Sequence, residues 1–216
     1  EPGMTPSDGE WVFVPLELVC RQYLAGSGWR RYKRGELSAE ELGFAAGTEL
    51  QMGVKLPAPY VELTTKFESF DRLIDREEAK QIANVTDAEL DSLIEVVIKV
   101  DELIEREASK NGLIHVDGKK EFALGPGRVP VLVDSFGTLD EDRWWDLEEY
   151  GNGNLVQLSK EFVRQHYIST GHQEELRLAR ENGTDEPPIP ALPQEVINQT
   201  AELYATMFER LTGNKF

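Results

Sequence analysis

The sequence is poor in several features that would each indicate a particular class of protein. It has one cysteine, Cys20, and three histidines, so no disulfide can form within the chain and a zinc site is not expected. It has no apolar run of about 18 residues and no signal-peptide pattern at its start, which argues against a membrane span and against secretion. Together these absences predict a protein of the reducing cytoplasm.

Positive charge is also scarce. Lysine and arginine together number 23 against 40 acidic residues, which gives a net charge of −17. A field of this sign repels nucleic acid and anionic membranes, so neither is expected as a partner. The same field repels a phosphorylated ligand unless local arginines or a metal ion reverse its sign. The composition is otherwise that of a globular chain with a sizeable core.

The pattern along the chain predicts a mixture of strands and helices. Residues 1–10 are polar and are expected to be disordered or tag-derived. Strands are predicted over 11–20, 60–65, 113–124 and 129–134. Helices are predicted after Asp75 and over 87–110, 160–169 and 194–211, the second of them opened by the capping box Thr86-x-x-Glu89. Loops are predicted over 26–28, 37–56, 138–143 and 174–193, and Pro15 is expected to end the first strand or to place it at an edge.

The stretch 113–134 reads as a charged hairpin. Asp117, Lys119 and Glu121 alternate along the first strand, so they point to one face, and the turn 125–127 would return Asp134 to their neighbourhood. Carboxylates beside a lysine suit a hard cation such as Mg²⁺, which takes oxygen ligands and usually shares them with phosphates. The alternative is a half-solvated strand whose charges simply face water.

A second candidate is the stretch Gly26-Ser27-Gly28. Its backbone N–H groups could hold an anion, and the guanidinium of Arg21 could supply the counter-charge. A plain loop is the alternative. The basic run at 30–34 is interpreted as a solvated face, and Trp144-Trp145 as packing residues.

Several stretches, taken together, resemble the SAICAR synthetase family (phosphoribosylaminoimidazole-succinocarboxamide synthase). Five segments match the family's motifs in order and spacing: VPLELVCRQYLAGSGW, KLPAPYVELTTKFESFD, GLIHVDGKKEFALG, VPVLVDSFGTLDEDRWW and PALPQEVINQTAELYATMFERLTGNKF. The resemblance implies an α+β fold, with an antiparallel sheet and helices packed on one face. It implies an ATP- and Mg²⁺-dependent ligase of purine biosynthesis that joins L-aspartate to the carboxylate of carboxyaminoimidazole ribotide.

The family's functional residues carry over by matching positions. On the substrate side, the resemblance implies that Arg21, Ser27 and Arg143 hold the ribotide phosphate and that Asp71 and Asp140 lie in or near the substrate pocket. It implies that Lys119, which neutralises charge near the reacting phosphate, and Asp117 are catalytic, and that Glu121 and Asp134 bind Mg²⁺ and the ATP phosphates.

The match has departures, and they leave alternatives open. The resemblance covers 11–216 and only the later part of the family's chain. If the protein lacks the family's N-terminal ATP lobe, a separate chain is expected to supply it. Phe70 and Arg72 flank Asp71 where the family has other residues, and Glu141 and Asp142 replace two serines. A ligase with another amine or nucleotide substrate is therefore an alternative. A non-catalytic nucleotide- or ribotide-binding protein of the same fold is another, and a homo-oligomer is compatible with the sequence.

Overall fold

The computed structural model of the protein describes residues 11–68 and 71–216. The expectation of a disordered or tag-derived start falls on residues 1–10 and lies outside the described residues, as does Phe70. The described chain forms strands β1 (Val12–Tyr23), β2 (Lys55–Thr65), β3 (Leu73–Ile74), β4 (Leu113–Leu124), β5 (Pro130–Val133) and β6 (Asp142–Asp146). The helices are α1 (Gly26–Lys33), α2 (Arg76–Ala83), α3 (Asp87–Ser109), α4 (Leu147–Gly151), α5 (Glu161–Ser169), α6 (His172–Asn182) and α7 (Gln194–Thr212).

The strands form an antiparallel sheet in the order β3-β2-β1-β4-β5, with β6 also pairing with β4. The long strand β4 therefore has two partners along one edge. Strand β5 pairs with 121–124 and β6 pairs with 113–118. The loop 134–141 joins β5 to β6 and leaves the sheet edge at the level of Lys119 and Lys120. The predicted α+β class is confirmed.

The two faces of the sheet differ because side chains alternate along a strand. One face is apolar and packs against α2 and α3, so the main core forms there. Its fully buried members include Leu16, Leu18, Leu90, Leu93, Val97 and Phe122. The other face carries the charged residues of β1, β2 and β4, among them Glu17, Glu62 and Glu121. A smaller core joins the end of α3 to α7 through Met207 and Trp144.

The local sequence explains the two helices on the core face. The side chain of Asp75 accepts a hydrogen bond from the amide of Glu78 at the start of α2. At the start of α3, Thr86 and Glu89 form the predicted capping box, in which each side chain meets the other's backbone N–H. Apolar residues at helical spacing then give α3 one buried face. Gly112, with a φ of 69°, follows its end.

Several local predictions were wrong. The tripeptide at 26–28 is not a flexible turn but opens α1, and the predicted loop 174–193 begins inside α6, which continues to Asn182. Pro15 neither ends β1 nor places it at an edge. It lies in a bulge between Val14 and Glu17, where the pairing of β1 with β4 shifts register, so its missing N–H is tolerated in a central strand. The predicted loop 138–143 ends early because β6 begins at Asp142.

Within the described residues, no helix combines the length and the apolar character that crossing a membrane requires. Trp144 and Trp145 are fully buried in β6, which confirms their predicted packing role. Cys20 is buried on the core face of β1, where desolvation raises the pKa of its thiol.

Candidate active site

The polar face of the sheet brings most of the predicted site residues into two groups. Neighbouring strands place Arg21 opposite Asp117, Val19 opposite Lys119 and Glu17 opposite Glu121. Because directly paired residues point to the same face, the charges of β1 and β4 form one surface. The sequence predicted this shared face for β4, and the structure extends it to β1 and β2.

Arg21 anchors the first group, which we call the arginine end: Arg21, Ser27, Asp117 and Arg143. Its guanidinium donates to Asp117 Oδ2 at 2.6 Å, to Ser27 Oγ at 2.7 Å and to Glu62 Oε2 at 2.7 Å. Arg143 Nη1 donates to Asp117 Oδ1 at 2.6 Å, so one carboxylate bridges two guanidinium groups. Burial acts to lower the pKa of Arg21, but Asp117 and Glu62 outweigh it and raise the pKa.

Two glycines allow the guanidinium groups to approach the start of α1. A Cβ on Gly26 would lie 2.5 Å from Arg143 Nη2, and one on Gly28 would lie 3.2 Å from Arg21 Nε. Gly26 also has a φ of 53°, which favours glycine. The first N–H groups of α1 and its positive dipole end therefore lie beside Ser27 and both arginines. This arrangement suits an anion such as a phosphate.

Further arginines surround the arginine end. Glu161 accepts hydrogen bonds from Arg143 at 3.3 Å and from Arg164 at 2.7 Å, and these cations lower its pKa although burial acts to raise it. Desolvation and the positive charges of Arg164 and Arg143 lower the pKa of Arg30, despite the opposing effect of Glu161. Positive charge is thus concentrated here in a chain that is strongly acidic as a whole.

The second group, which we call the lysine end, consists of Lys119, Lys66, Glu17, Glu121 and Glu141. Lys119 Nζ lies 2.8 Å from Glu17 Oε1, 3.0 Å from Glu121 Oε1 and 3.2 Å from Glu141 Oε2. Lys66 Nζ lies 2.5 Å from Glu121 Oε1 and 3.7 Å from Glu17 Oε1. Burial acts to lower the pKa of Lys119, but the glutamates beside it have the larger effect and raise the pKa above its ordinary value. Lys119 is therefore a cation at neutral pH rather than a base.

The lysine end has the donor set that Mg²⁺ prefers. Three carboxylates meet two ammonium groups there, so one negative charge is left over for a further cation. The predicted ligand Glu121 belongs to this group. Val133 pairs with Glu121, so the hairpin returns to the predicted level and Asp134 is the next residue. Asp134 itself is exposed, with a φ of 66°, and its carboxylate accepts a hydrogen bond from the amide of Ser135.

Besides Asp134, two further predicted site residues lie outside both groups. Asp140 is exposed, and its Oδ1 accepts a hydrogen bond from the hydroxyl of Tyr204 in α7 at 2.7 Å. Burial and this contact raise the pKa of Tyr204. Asp71 is exposed and precedes β3. The proposed roles of Asp71 and Asp140 at the substrate pocket stay predictions.

Sequence reasoning missed several members of the polar face. Glu17 and Glu62 stand inside otherwise apolar strand sequences, and that interruption is the signal that could have identified them. Arg31 was interpreted as part of a solvated basic run, but its guanidinium contacts Glu62. Lys66 and Glu141 carried no local signal, because only strand pairing and the return of the 134–141 loop bring them to Lys119.

One further cluster of possible metal ligands occurs among the described residues. Ligand atoms of Asp101, His115 and Asp142 all lie within 4.8 Å of one another, on the core face of the sheet. The ammonium of Lys120 already contacts both carboxylates, so a cation is present at this position. We therefore interpret the cluster as a buried ion-pair network.

Fold and site together define a class: an α+β domain whose polar sheet face gathers arginines at one end, and glutamates with two lysines at the other. The sequence model of the SAICAR synthetase family matches residues 10–179. The phosphoribosylaminoimidazole-succinocarboxamide synthase of Thermoplasma acidophilum is 46% identical over 213 residues, which are 99% of this chain and 71% of that protein. The synthase of Thermoplasma volcanium is 47% identical over 94% of this chain and 68% of its own length.

Solved structures of SAICAR synthetases share the fold of this chain. A SAICAR synthetase (type 2) in complex with ADP is 26% identical, with a TM-score of 0.64, and the match covers 96% of this chain and 66% of that one. The Saccharomyces cerevisiae SAICAR synthase, at 23% identity over 96% of this chain and 63% of that one, shares the fold with a TM-score of 0.74. The chain belongs to the SAICAR synthetase family, a family of ligase enzymes. It spans about two thirds of the length of the relatives it matches.

Proposed function

We propose that this chain takes part in the ATP- and Mg²⁺-dependent ligation of L-aspartate to the carboxylate of carboxyaminoimidazole ribotide. The observation that carries the proposal is the joint placement of the arginine end and the lysine end on one sheet face, in a chain of this family. The reaction needs a site for a ribotide phosphate and a second site for transferred phosphate. The two ends of the face are suited to those tasks.

The arginine end would bind the ribotide phosphate. Arg21 and Arg143 present donors on either side of Ser27 and the start of α1, and guanidinium groups bind phosphate in a bidentate manner. Asp117 holds both guanidinium groups in place before a ligand arrives. Such preorganisation reduces the free energy needed to order the site on binding.

The lysine end would act on the activated carboxylate. In the proposed reaction, the ribotide carboxylate takes the γ-phosphoryl group of ATP, which releases ADP. The aspartate amine then attacks the acyl carbon, phosphate leaves, and the amine loses a proton. Lys119 and Lys66 stay protonated beside the glutamates and would stabilise the charge that develops on the phosphoryl oxygens.

Glu121 and Asp134 would hold the metal ion, and Glu17 and Glu141 offer further oxygen ligands beside Glu121. A Mg²⁺ ion held by these carboxylates would supply positive charge that offsets part of the phosphate charge. The protein's own contribution is to gather the carboxylates and to balance their charge with Lys119 in the free state.

We also propose that productive nucleotide binding needs a lobe in addition to the described residues, supplied by a separate chain or segment. The matched relatives are longer than this chain. The polar face continues past Glu121 into exposed aromatic residues: Trp11 and Phe67 are 63% and 73% exposed, and the rings of Phe13 and Phe67 are 5.5 Å apart. A second lobe packed here would cover these rings and close the lysine end.

The test is a turnover assay of the purified chain with ATP, Mg²⁺, L-aspartate and the ribotide, in which ADP and the succinocarboxamide are followed together. We expect both products in equal amounts after addition of the Thermoplasma acidophilum segment outside the matched region. Turnover by the chain alone would refute the need for a second lobe. Asp134→Asn should abolish turnover, whereas the exposed control Asp185→Asn should not. Absence of both products under both conditions would refute the ligase proposal. Retained ribotide binding would then favour the non-catalytic alternative.

A further inference from the structure

A second charged group lies directly behind the candidate site, on the core face of the sheet. We call it the Lys120 cluster: Asp101 of α3, His115 and Lys120 of β4, and Asp142 of β6. All four side chains are fully buried. Lys120 Nζ lies 2.8 Å from Asp142 Oδ1 and also contacts Asp101, while His115 Nε2 donates to the same Asp142 oxygen at 2.7 Å.

Asp142 connects this cluster to the loop 134–141. Its other oxygen, Oδ2, accepts a hydrogen bond from the amide of Gly137 at 2.5 Å. At the end of the same loop, the carbonyl of Glu141 accepts from the amide of Lys119 at 3.2 Å. The loop carries predicted site residues and the Glu141 carboxylate, so its position bears directly on the lysine end.

The residue of β4 that pairs with Asp142 is a glycine, and the Asp142 carboxylate occupies the space that a side chain would fill. Gly118 pairs with Asp142, and a Cβ built on Gly118 would overlap Asp142 Oδ1 and crowd Lys120 Nζ. Gly118 lies between Asp117 and Lys119, the two predicted catalytic residues. The Asp142 carboxylate therefore packs against the backbone that presents both of them.

We propose that Asp142 is a positioning residue for Arg143 and for the loop 134–141, and that Lys120 and His115 fix its carboxylate. Arg143 is the next residue in β6, so an ordered Asp142 on the core face holds Arg143 toward the polar face, where it meets Asp117. The consequence for ligand binding rests on the proposed function, because it takes Arg143 to be a phosphate ligand. The consequence for the loop does not.

Asp101 provides a matched comparison for Asp142. Both carboxylates contact Lys120, but Asp101 belongs to α3 and contacts neither the loop nor β6 in the hydrogen bonds of the described residues. Asp101 Oδ2 and His115 Nδ1 are 3.9 Å apart, and neither has a hydrogen-bond partner among the described residues. Asp101→Asn and Asp142→Asn each leave Lys120 with one carboxylate. Only the second leaves a single acceptor oxygen where Asp142 uses two, one for Lys120 and one for Gly137.

The first measurement is calorimetric titration of the full chain with ribose 5-phosphate, a simple phosphate monoester. We expect Asp142→Asn to weaken binding by about tenfold, as displaced ligand groups do, and Asp101→Asn to leave it within about twofold. Equal weakening in both variants would overturn the proposal, because a purely structural role would affect both. A wild-type chain that fails to bind this probe would count against the phosphate part of the proposed function only.

The second measurement needs no ligand and decides the inference in every case. Amide hydrogen exchange at Gly137 is followed in the wild-type chain and in both variants, under conditions where all are folded. We expect exchange at Gly137 to be at least about tenfold faster in Asp142→Asn and unchanged in Asp101→Asn. Unchanged exchange at Gly137 in Asp142→Asn would overturn the proposal.

Discussion

Lys119 and Lys120 are neighbours in β4, yet they lie on opposite faces of the sheet and use the same chemistry in two ways. Each ammonium group meets carboxylates from other parts of the chain. The side chain of Lys119 is 26% exposed, and that of Lys120 is fully buried. A ligand can therefore reach Lys119 and exchange places with its carboxylates, whereas Lys120 has no such exchange partner.

The comparison shows that charge pairing alone does not identify a site. For both lysines, burial acts to lower the pKa, and the carboxylates raise it by more, so both are cations at neutral pH. Their environments differ in which group can take the place of a carboxylate that is removed. Beside Lys119, water or a phosphate can take that place. Beside Lys120, removing a carboxylate leaves an uncompensated charge in the core.

The largest effect is expected from Lys120→Met. The substitution leaves Asp101 and Asp142 close together and buried without a cation, so we expect the free energy of unfolding to fall by about 3–5 kcal/mol. Urea unfolding followed by circular dichroism measures this change. A loss below about 1 kcal/mol, the value for an exposed pair, would remove the distinction between the two lysines.

The converse effect is expected from Lys119→Met. Removing a preorganised cation near transferred phosphate should lower turnover by about 100-fold or more. The free energy of unfolding should fall by less than in Lys120→Met, because Lys66 still pairs with Glu121 and Glu17. The control is Lys99→Met on the exposed side of α3, which should change neither quantity. A Lys119→Met variant that keeps wild-type turnover would exclude Lys119 from the reaction.

The two aspartates of the Lys120 cluster should respond to pH with opposite signs. For Asp142, burial acts to raise the pKa, but His115 and Lys120 lower it below the ordinary value. Its stabilising contribution is therefore complete above about pH 4, the unfolded-state pKa, and is lost as pH falls through the lower folded-state pKa. For Asp101, burial raises the pKa, so ionisation above about pH 4 opposes folding.

Unfolding measured between pH 3 and pH 7 tests this difference. The stability gap between the wild-type chain and Asp142→Asn should shrink as the solution is acidified. The gap for Asp101→Asn should grow instead. Parallel pH dependences for the two variants would contradict the assigned directions.

The smallest effect is expected at the start of α3, the helix that covers the Lys120 cluster. Thr86→Ala removes the capping box and should lower the free energy of unfolding by about 1 kcal/mol. Thermal unfolding measures this change, and phosphate binding at the polar face should stay at the wild-type value. A Thr86→Ala variant with altered phosphate affinity would show that α3 transmits changes to the site.

Local signals predicted much of the fold. The strand β4 has the predicted bounds, and α3 follows the predicted pattern to within a residue, because the capping box, the apolar spacing and Gly112 are all local in sequence. Predictions were wrong where a distant contact decides the conformation. Gly26 opens α1 against the guanidinium of Arg143, which no nearby residue indicates.

The candidate site divides in the same way. Strand alternation placed Asp117, Lys119 and Glu121 on one face, and the resemblance to the family supplied Arg21, Ser27 and Arg143, which the structure gathers around Asp117. The Lys120 cluster escaped prediction because its members come from α3, β4 and β6. Its one sequence signal is Asp101, a charged residue on the otherwise apolar face of α3.

The sequence by itself determined the position of the main helix, the charged hairpin and the family to which the chain belongs, because each depends on neighbouring residues or on ordered motifs. Only the tertiary structure decided which charges face a ligand and which are enclosed. Lys119 and Lys120 are the same type of residue and are adjacent in sequence. Their roles differ because α3 covers one face of the sheet and leaves the other open to water.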